Sequence, residues 1–152
     1  MIKDILPPQF DNTYRGRRLA LWFFVPVLVI KLLMSVNSIL MGEMVAGRAD
    51  GIPLDSFTPA GARAVVALFA IWGLAQLMIV LVGLLAFFRY RAMVPFMFAL
   101  LLLEHLSRKV ILTLRPIVPS GATPPGLFVN IVLVTLMIVG FGLSVWRKEA
   151  AA

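Results

Sequence analysis

The residue types best suited to chemistry are concentrated in one short segment, EHLSRK, which covers residues 104–109. In a helix, Glu104 and Arg108 lie four residues apart on one face, and His105 and Lys109 form a second pair on the neighbouring face. A carboxyl group and an imidazole can transfer protons, whereas two bases on one arc can bind an anion. The segment therefore indicates proton transfer or anion binding, and it makes Glu104 and His105 the candidate catalytic residues.

Lys31, in an earlier apolar block, occupies a matching position. It follows Arg18 by 13 residues, and Glu104 follows Arg91 by 13 residues. If both blocks are helices that cross a membrane in the same direction, each side chain lies about 20 Å beyond its arginine, near the middle of the bilayer. We therefore predict that Lys31 and Glu104 are in contact, directly or through one water.

Other polar side chains are expected in or just beyond the same layer. Gln76 in the second apolar block and Thr135 in the fourth come at nearly the same depth. We expect Gln76 or Arg108 close to the pair of opposite charges. Most other polar residues of the blocks lie further from the termini, which predicts a cavity open to the non-cytoplasmic face, with Lys31 and Glu104 at its floor. The candidate ligand-binding residues are Lys31, Ser35, Ser38, Gln76, Glu104, His105, Arg108, Lys109 and Asn130.

A purely structural role accounts for the same residues. Lys31 and Glu104 would then be an ion pair that fixes helix packing, and Arg108 and Lys109 would extend to lipid headgroups. A charge at the centre of a membrane helix costs about 2.5–3.5 kcal/mol on insertion scales, so it has to face the protein interior or water. Both the structural and the functional interpretation stay open at this point.

The elements that must position these residues are four apolar blocks, at about 19–42, 64–88, 92–114 and 127–146. Of the 152 residues, 61% are hydrophobic and 14% are charged. Each block is close to the ~20 residues that a helix needs to cross a bilayer, where the backbone must satisfy its own hydrogen bonds. The sequence predicts an all-α membrane protein, with residues 1–152 as one domain of four transmembrane helices in an up-down bundle.

The distribution of positive charge predicts the orientation. Three Lys and Arg residues near the block ends lie on one side, and eight lie on the side of the termini: Lys3, Arg15, Arg17, Arg18, Arg89, Arg91, Arg147 and Lys148. The more positive side of a membrane protein faces the cytoplasm. We expect a multi-pass protein of a bacterial inner membrane with both termini in the cytoplasm. The net charge of +7 therefore indicates membrane lipids rather than nucleic acid as partners.

Several kinds of site are excluded by the composition. With no cysteine and one histidine, the chain has no disulfide, no cysteine-ligated cluster and no bis-histidine haem of its own. A zinc site is not expected from these ligands, and the sequence has no Walker A, GxSxG or HExxH motif. We predict no cofactor and no metal, and leave open a lipid or other lipophilic ligand.

Two functions follow from these residues. The first is a small non-enzymatic membrane protein that binds an anionic or polar-headed lipophile, or a partner membrane protein, through the charged pocket in the outer half of the bundle. The alternative is a membrane enzyme or an oligomeric proton-coupled transporter that uses Glu104 and His105 for proton transfer. A homo-oligomer or a larger membrane complex stays open in both cases. A hydrated cavity at Glu104 would favour the alternative, whereas a dry ion pair beside a flat exposed apolar face would favour a structural subunit.

Overall fold

Four long helices form most of the part of the chain that the structure describes. This computed structural model describes residues 5, 6, 9, 11–116 and 124–146. The helices are α1 (Leu19–Leu40), α2 (Pro59–Phe88), α3 (Val94–Leu114) and α4 (Gly126–Val145). The described residues contain no β-strand, so the prediction of an all-helical protein is confirmed.

Three of these helices, α1, α2 and α4, are long and apolar enough to cross a membrane. Helix α3 has 21 residues, but its second half contains Glu104, Arg108 and Lys109, which make it less apolar than the others. Its length suits a bilayer, whereas its charges need compensation there. The helices indicate a membrane protein, in agreement with the composition.

Helix α2 begins at Pro59, before the predicted start of its apolar block at residue 64. The Thr58 hydroxyl oxygen accepts a hydrogen bond from the backbone amide of Gly61 at 3.2 Å. Threonine followed by proline is a favourable helix start, because the hydroxyl satisfies a free amide and proline has none to satisfy. The sequence TPAG at residues 58–61 is therefore a helix cap. Between α1 and α2 the chain forms short helical turns at Gly42–Met44, Val45–Ala49 and Leu54–Ser56.

The helices pack around an apolar core at one end of the bundle. Helix α1 packs against α2 and α4, and α3 packs mainly against α4. Phe24 of α1 and Phe98 of α3 meet edge to face, with ring centroids 4.9 Å apart. The buried core residues are Ala20, Phe24, Val27, Leu28, Ala86, Val94, Met97, Phe98, Leu101, Leu133 and Met137. Buried polar side chains on α1 begin just beyond this core, at Lys31.

The outer surfaces of α2 and α4 are apolar and largely uncovered. Only 17% of the most apolar stretch of each helix is buried inside the protein. Exposed side chains on these surfaces include Leu68, Ile71, Leu81, Phe88, Phe128, Ile131 and Ile138. Such a surface is stable when lipid chains or another protein cover it, because contact with water is unfavourable.

Residues 11–18, which we call the N-terminal arm, cross the end of the bundle where α1 and α3 begin. The backbone amide of Ala92 donates to the carbonyl of Asp11 at 3.3 Å, and the amide of Arg17 donates to the carbonyl of Leu143 at 3.2 Å. The Arg17 guanidinium also lies 4.2 Å from the centre of the Trp146 ring. The arm is thus attached both before α3 and near the end of α4. We call this the arm end of the bundle, and the opposite end the far end.

Candidate functional site

The central polar layer is a closed ring of three side chains from three helices. The Lys31 ammonium donates to Glu104 Oε2 at 2.6 Å and to Gln76 Oε1 at 3.1 Å. Gln76 Nε2 completes the ring by donating to Glu104 Oε1 at 2.8 Å. We call Lys31, Gln76 and Glu104 the polar ring. The predicted contact between Lys31 and Glu104, with Gln76 beside them, is confirmed.

The polar ring is buried and electrically neutral. Lys31 is 1% exposed and Gln76 is 5% exposed, whereas the Glu104 side chain is 20% exposed. Both carboxylate oxygens of Glu104 accept a hydrogen bond, so the negative charge is compensated by Lys31 and shared with Gln76. Lys31 and Gln76 therefore lie in a packed layer, and Lys31 does not form the floor of an open cavity, contrary to expectation. Glu104 is the member of the ring that reaches the surface.

A close approach of α1 and α2 brings Lys31 within reach of Gln76. A Cβ atom added to Gly73 would lie 2.8 Å from the Ser38 Cβ and 2.9 Å from the Ser35 carbonyl oxygen, so only glycine fits there without a shift. Ser35 and Ser38 are both buried in this contact, and the Ser35 hydroxyl donates to the Lys31 carbonyl at 2.7 Å. These two predicted ligand-binding serines lie in a helix–helix interface. Small residues at such an interface allow close backbone packing.

A second cluster lies one turn further along α3. Arg108 Nη2 is 3.1 Å from His105 Nδ1, and the guanidinium carbon lies 4.8 Å from the centre of the Trp72 ring. A guanidinium can only donate hydrogen bonds, so Nδ1 is the acceptor and the neutral ring carries its proton on Nε2. We call Trp72, His105 and Arg108 the outer cluster. Arg108 thus contacts His105 and Trp72, and Glu104 takes Lys31 as its partner.

Asp50, which the sequence reasoning missed, lies near this cluster. It follows the π-helical turn Val45–Ala49, and a Cβ added to Gly126 would be 3.1 Å from its Oδ1 atom. The carboxyl group is therefore beside the first residue of α4, where a helix favours negative charge. Burial raises the pKa of Asp50, and the nearby Arg108 charge opposes that increase. In the sequence, Asp50 is one acidic residue in a connection between apolar blocks, and that position does not indicate which residues it contacts.

Three predicted polar residues are not brought into either cluster. Lys109 is exposed, and the Thr135 side chain is exposed while its hydroxyl donates to the Ile131 carbonyl of its own helix at 2.9 Å. The Thr135 side chain of helix α4 therefore does not reach the central layer, contrary to expectation. Asn130 is partly buried, and its Oδ1 accepts no hydrogen bond from the described residues.

Comparison with known proteins adds no assignment. The sequence matches no protein-family model, and no curated protein or solved structure is significantly similar to the chain. Within the described residues, no group of three or more His, Asp or Glu side chains is arranged to bind a metal ion. The chemistry of the site has to be inferred from the polar ring and the outer cluster themselves.

Proposed function

We propose that the chain is a small, non-enzymatic integral membrane protein whose outer cluster binds the anionic headgroup of a lipophile. Four helices cross the membrane of a bacterial cell, with both termini in the cytoplasm and the far end outside. Arg108 binds the anion, and Trp72 and His105 hold its guanidinium in place. The polar ring below closes the site toward the middle of the bundle.

The observation that carries this proposal is that Lys31, and not Arg108, neutralises Glu104. Lys31–Glu104 is the ion pair found among the described residues, so the Arg108 charge has no carboxylate at ion-pair distance there. Arg108 presents five N–H donors, of which His105 takes one. An anion that accepts the remaining donors would make short, charge-assisted hydrogen bonds. The Asp50 carboxylate offsets part of the positive charge of Arg108 from a greater distance.

The four-span arrangement is supported by the way α3 compensates its charges. Glu104 is paired with Lys31, and the Arg108 guanidinium is stacked against an aromatic ring. Both contacts lower the cost of placing α3 in a bilayer. The excess of Lys and Arg on the side of the termini supports the cytoplasmic placement of that side.

The experiment compares two neighbouring cations. We expect Arg108→Gln to reduce the anionic lipophile that co-purifies with the protein about tenfold, because a hydrogen bond to a charged group contributes about 1.5–3 kcal/mol. Lys109→Gln is the matched control, since it removes the same charge from an exposed position. Extraction into lipid-preserving particles followed by native mass spectrometry measures what stays bound. Equal retention by the two variants would contradict the proposal, and a bound protein in place of a lipophile would make the far end a partner interface.

The exposed edge of Glu104 favours one alternative, a proton-coupled enzyme or transporter. The Glu104 side chain is 20% exposed and His105 lies next to it in sequence, so a proton could reach the polar ring from outside. The test is proton uptake into vesicles that contain the reconstituted protein and an internal pH dye. Uptake by the wild type that Glu104→Gln abolishes would favour this alternative, and equal traces for both would count against it.

A further inference from the structure

A cavity of about 570 Å³ lies at the arm end, on the opposite side of the bundle's core from the outer cluster. The N-terminal arm, the first turns of α1 and the end of α2 border it, and one side is open. Its volume is in the range of small-molecule sites in proteins. Its lining residues include Asn12, Arg18, Trp22, Val25, Phe87 and Arg91. Neither the polar ring nor the outer cluster contributes to it, so it is a separate site.

The polar side of this cavity is positive. Arg18 and Arg91 line it, and none of the lining residues that the structure describes is acidic. Arg91 is held in place, because its Nε donates to the Phe87 carbonyl at 3.1 Å and its guanidinium carbon lies 5.8 Å from the Phe87 ring centre. The Nη groups of Arg91 therefore stay oriented as donors. The nearby Asp11 carboxylate already accepts a hydrogen bond from the backbone amide of Thr13 at 3.0 Å.

The cavity is preformed, because the N-terminal arm that covers it is fixed at both ends. Its ends are bonded to Ala92 and Leu143 through the backbone. Between them, Gly16 passes so close to the Ser144 carbonyl that a Cβ atom on residue 16 would overlap it. A ligand entering the cavity therefore does not have to order the arm, which lowers the entropic cost of binding.

The other side of the cavity is apolar and opens to the surface that would face lipid. Trp22 is 77% exposed and Val25 is 39% exposed, and both lie on the outer surface of α1. Arginine and tryptophan at the start of a membrane helix lie at the depth of lipid headgroups. A ligand that fits has an anionic head for the two arginines and an apolar chain for this opening.

We propose that this cavity is a binding site for an anionic phospholipid of the leaflet at the arm end. The phosphate accepts hydrogen bonds from Arg18 and Arg91, and one acyl chain leaves the cavity along Trp22 and Val25. The site is independent of the function proposed for the far end, and either can fail without the other. Phosphate is the shared chemistry of a lipid headgroup and a free anion, so the test has to distinguish the two sources.

The test uses the full chain in nanodiscs of phosphatidylcholine that contain a minor fraction of phosphatidylglycerol. We expect native mass spectrometry to detect retained phosphatidylglycerol on the wild type, and Arg91→Gln to reduce it about tenfold, as for a lost charge-assisted hydrogen bond. Arg89→Gln is the matched control, because Arg89 is exposed, lies two residues away and does not line the cavity. Val25→Phe narrows the apolar opening without changing the charge, and we expect it to reduce retention as well.

Two results would overturn the proposal. Equal loss in Arg91→Gln and Arg89→Gln would mean that surface charge alone attracts the lipid. Displacement of the lipid by inorganic phosphate, together with unchanged retention in Val25→Phe, would mean that the cavity binds a soluble anion.

A second measurement leaves both arginines in place, so it does not depend on how the Arg91 variant folds. Trp22 becomes the single tryptophan after Trp72→Phe and Trp146→Phe. We expect brominated phosphatidylglycerol to quench Trp22 more than the same mole fraction of brominated phosphatidylcholine. Equal quenching by the two lipids would contradict a specific site beside Trp22.

Discussion

The Lys31 ammonium nitrogen lies 2.6 Å from Glu104 Oε2, although 73 positions separate the two residues in the sequence. Gln76 bridges them from a third helix, so each of the three side chains bonds to both of the others. An ion pair inside a helical bundle is costly to desolvate, and it stabilises a structure only when its remaining hydrogen bonds are satisfied. In the polar ring, Gln76 supplies a further hydrogen bond to each member of the ion pair, and the three side chains fix the register of α1, α2 and α3 at one level.

Removing one charge of this ion pair should destabilise the folded protein much more than removing both charges. We expect Lys31→Met and Glu104→Gln each to destabilise the protein by about 3–5 kcal/mol, because each leaves one buried charge without a partner. The double variant should recover most of that loss. Unfolding in detergent measures the three variants, with the exposed Lys109→Met as a control expected to change stability by less than about 0.5 kcal/mol. Additive effects in the double variant would mean that the two charges do not depend on each other.

The close contact of α1 and α2 should be sensitive to the size of the side chain at position 73. We expect Gly73→Leu to destabilise the protein by about 1–3 kcal/mol, because the new side chain would collide with Ser38 and the backbone of Ser35. Gly142→Leu is the control, since a Cβ at residue 142 meets nothing within 4 Å. The thermal midpoints of both variants in the same detergent test the prediction. A Gly73 variant as stable as the Gly142 variant would mean that the two helices can separate without loss.

The shared level of Lys31, Gln76 and Glu104 could be predicted from the sequence because the rise per residue of a helix is fixed. Counting from Arg18 and Arg91 placed Lys31 and Glu104 at one level, and Gln76, which lies 13 residues before Arg89, was placed at the same level. The start of α2 was missed because the helix extends past the apolar block to the threonine–proline cap.

The rotation of each helix about its axis could not be predicted in the same way. Helix α4 is apolar almost all round, so no stripe in its sequence shows that Thr135 faces outward. Lys109 was grouped with its neighbours because adjacent residues of α3 share an arc, yet its side chain is exposed. The approach of Asp50 to α4 depends on tertiary packing that no local pattern encodes.

The orientation of the chain in the membrane gives a further prediction. We expect a reporter fused after Ala152 and one inserted near Ser56 to report opposite compartments, because the positive residues are concentrated on the side of the termini. Alkaline phosphatase, which is active outside the cytoplasm, and a fluorescent protein that folds inside it provide complementary readouts. The same compartment for both positions would exclude the four-span arrangement.

The partly buried carboxyl group of Asp50 should make stability depend on pH. Burial is the main influence on it and raises its pKa above the ordinary value of 3.8. As the pH rises above that value, the unfolded chain loses the Asp50 proton first while the folded protein still holds it. The folded state is therefore penalised increasingly until the pH passes the folded pKa, and the penalty is constant above it.

Asp50→Asn removes this titration and keeps the shape of the side chain. We expect the variant to match the wild type below about pH 3, where Asp50 is protonated in both the folded and the unfolded state, and to be more stable than the wild type near neutral pH. Thermal unfolding in detergent across that range measures the difference, and Asp55→Asn in the exposed part of the same connection is the control. If Asp50→Asn is instead less stable than the wild type at neutral pH, the attraction of the Asp50 carboxylate to Arg108 and to the start of α4 outweighs the cost of its burial.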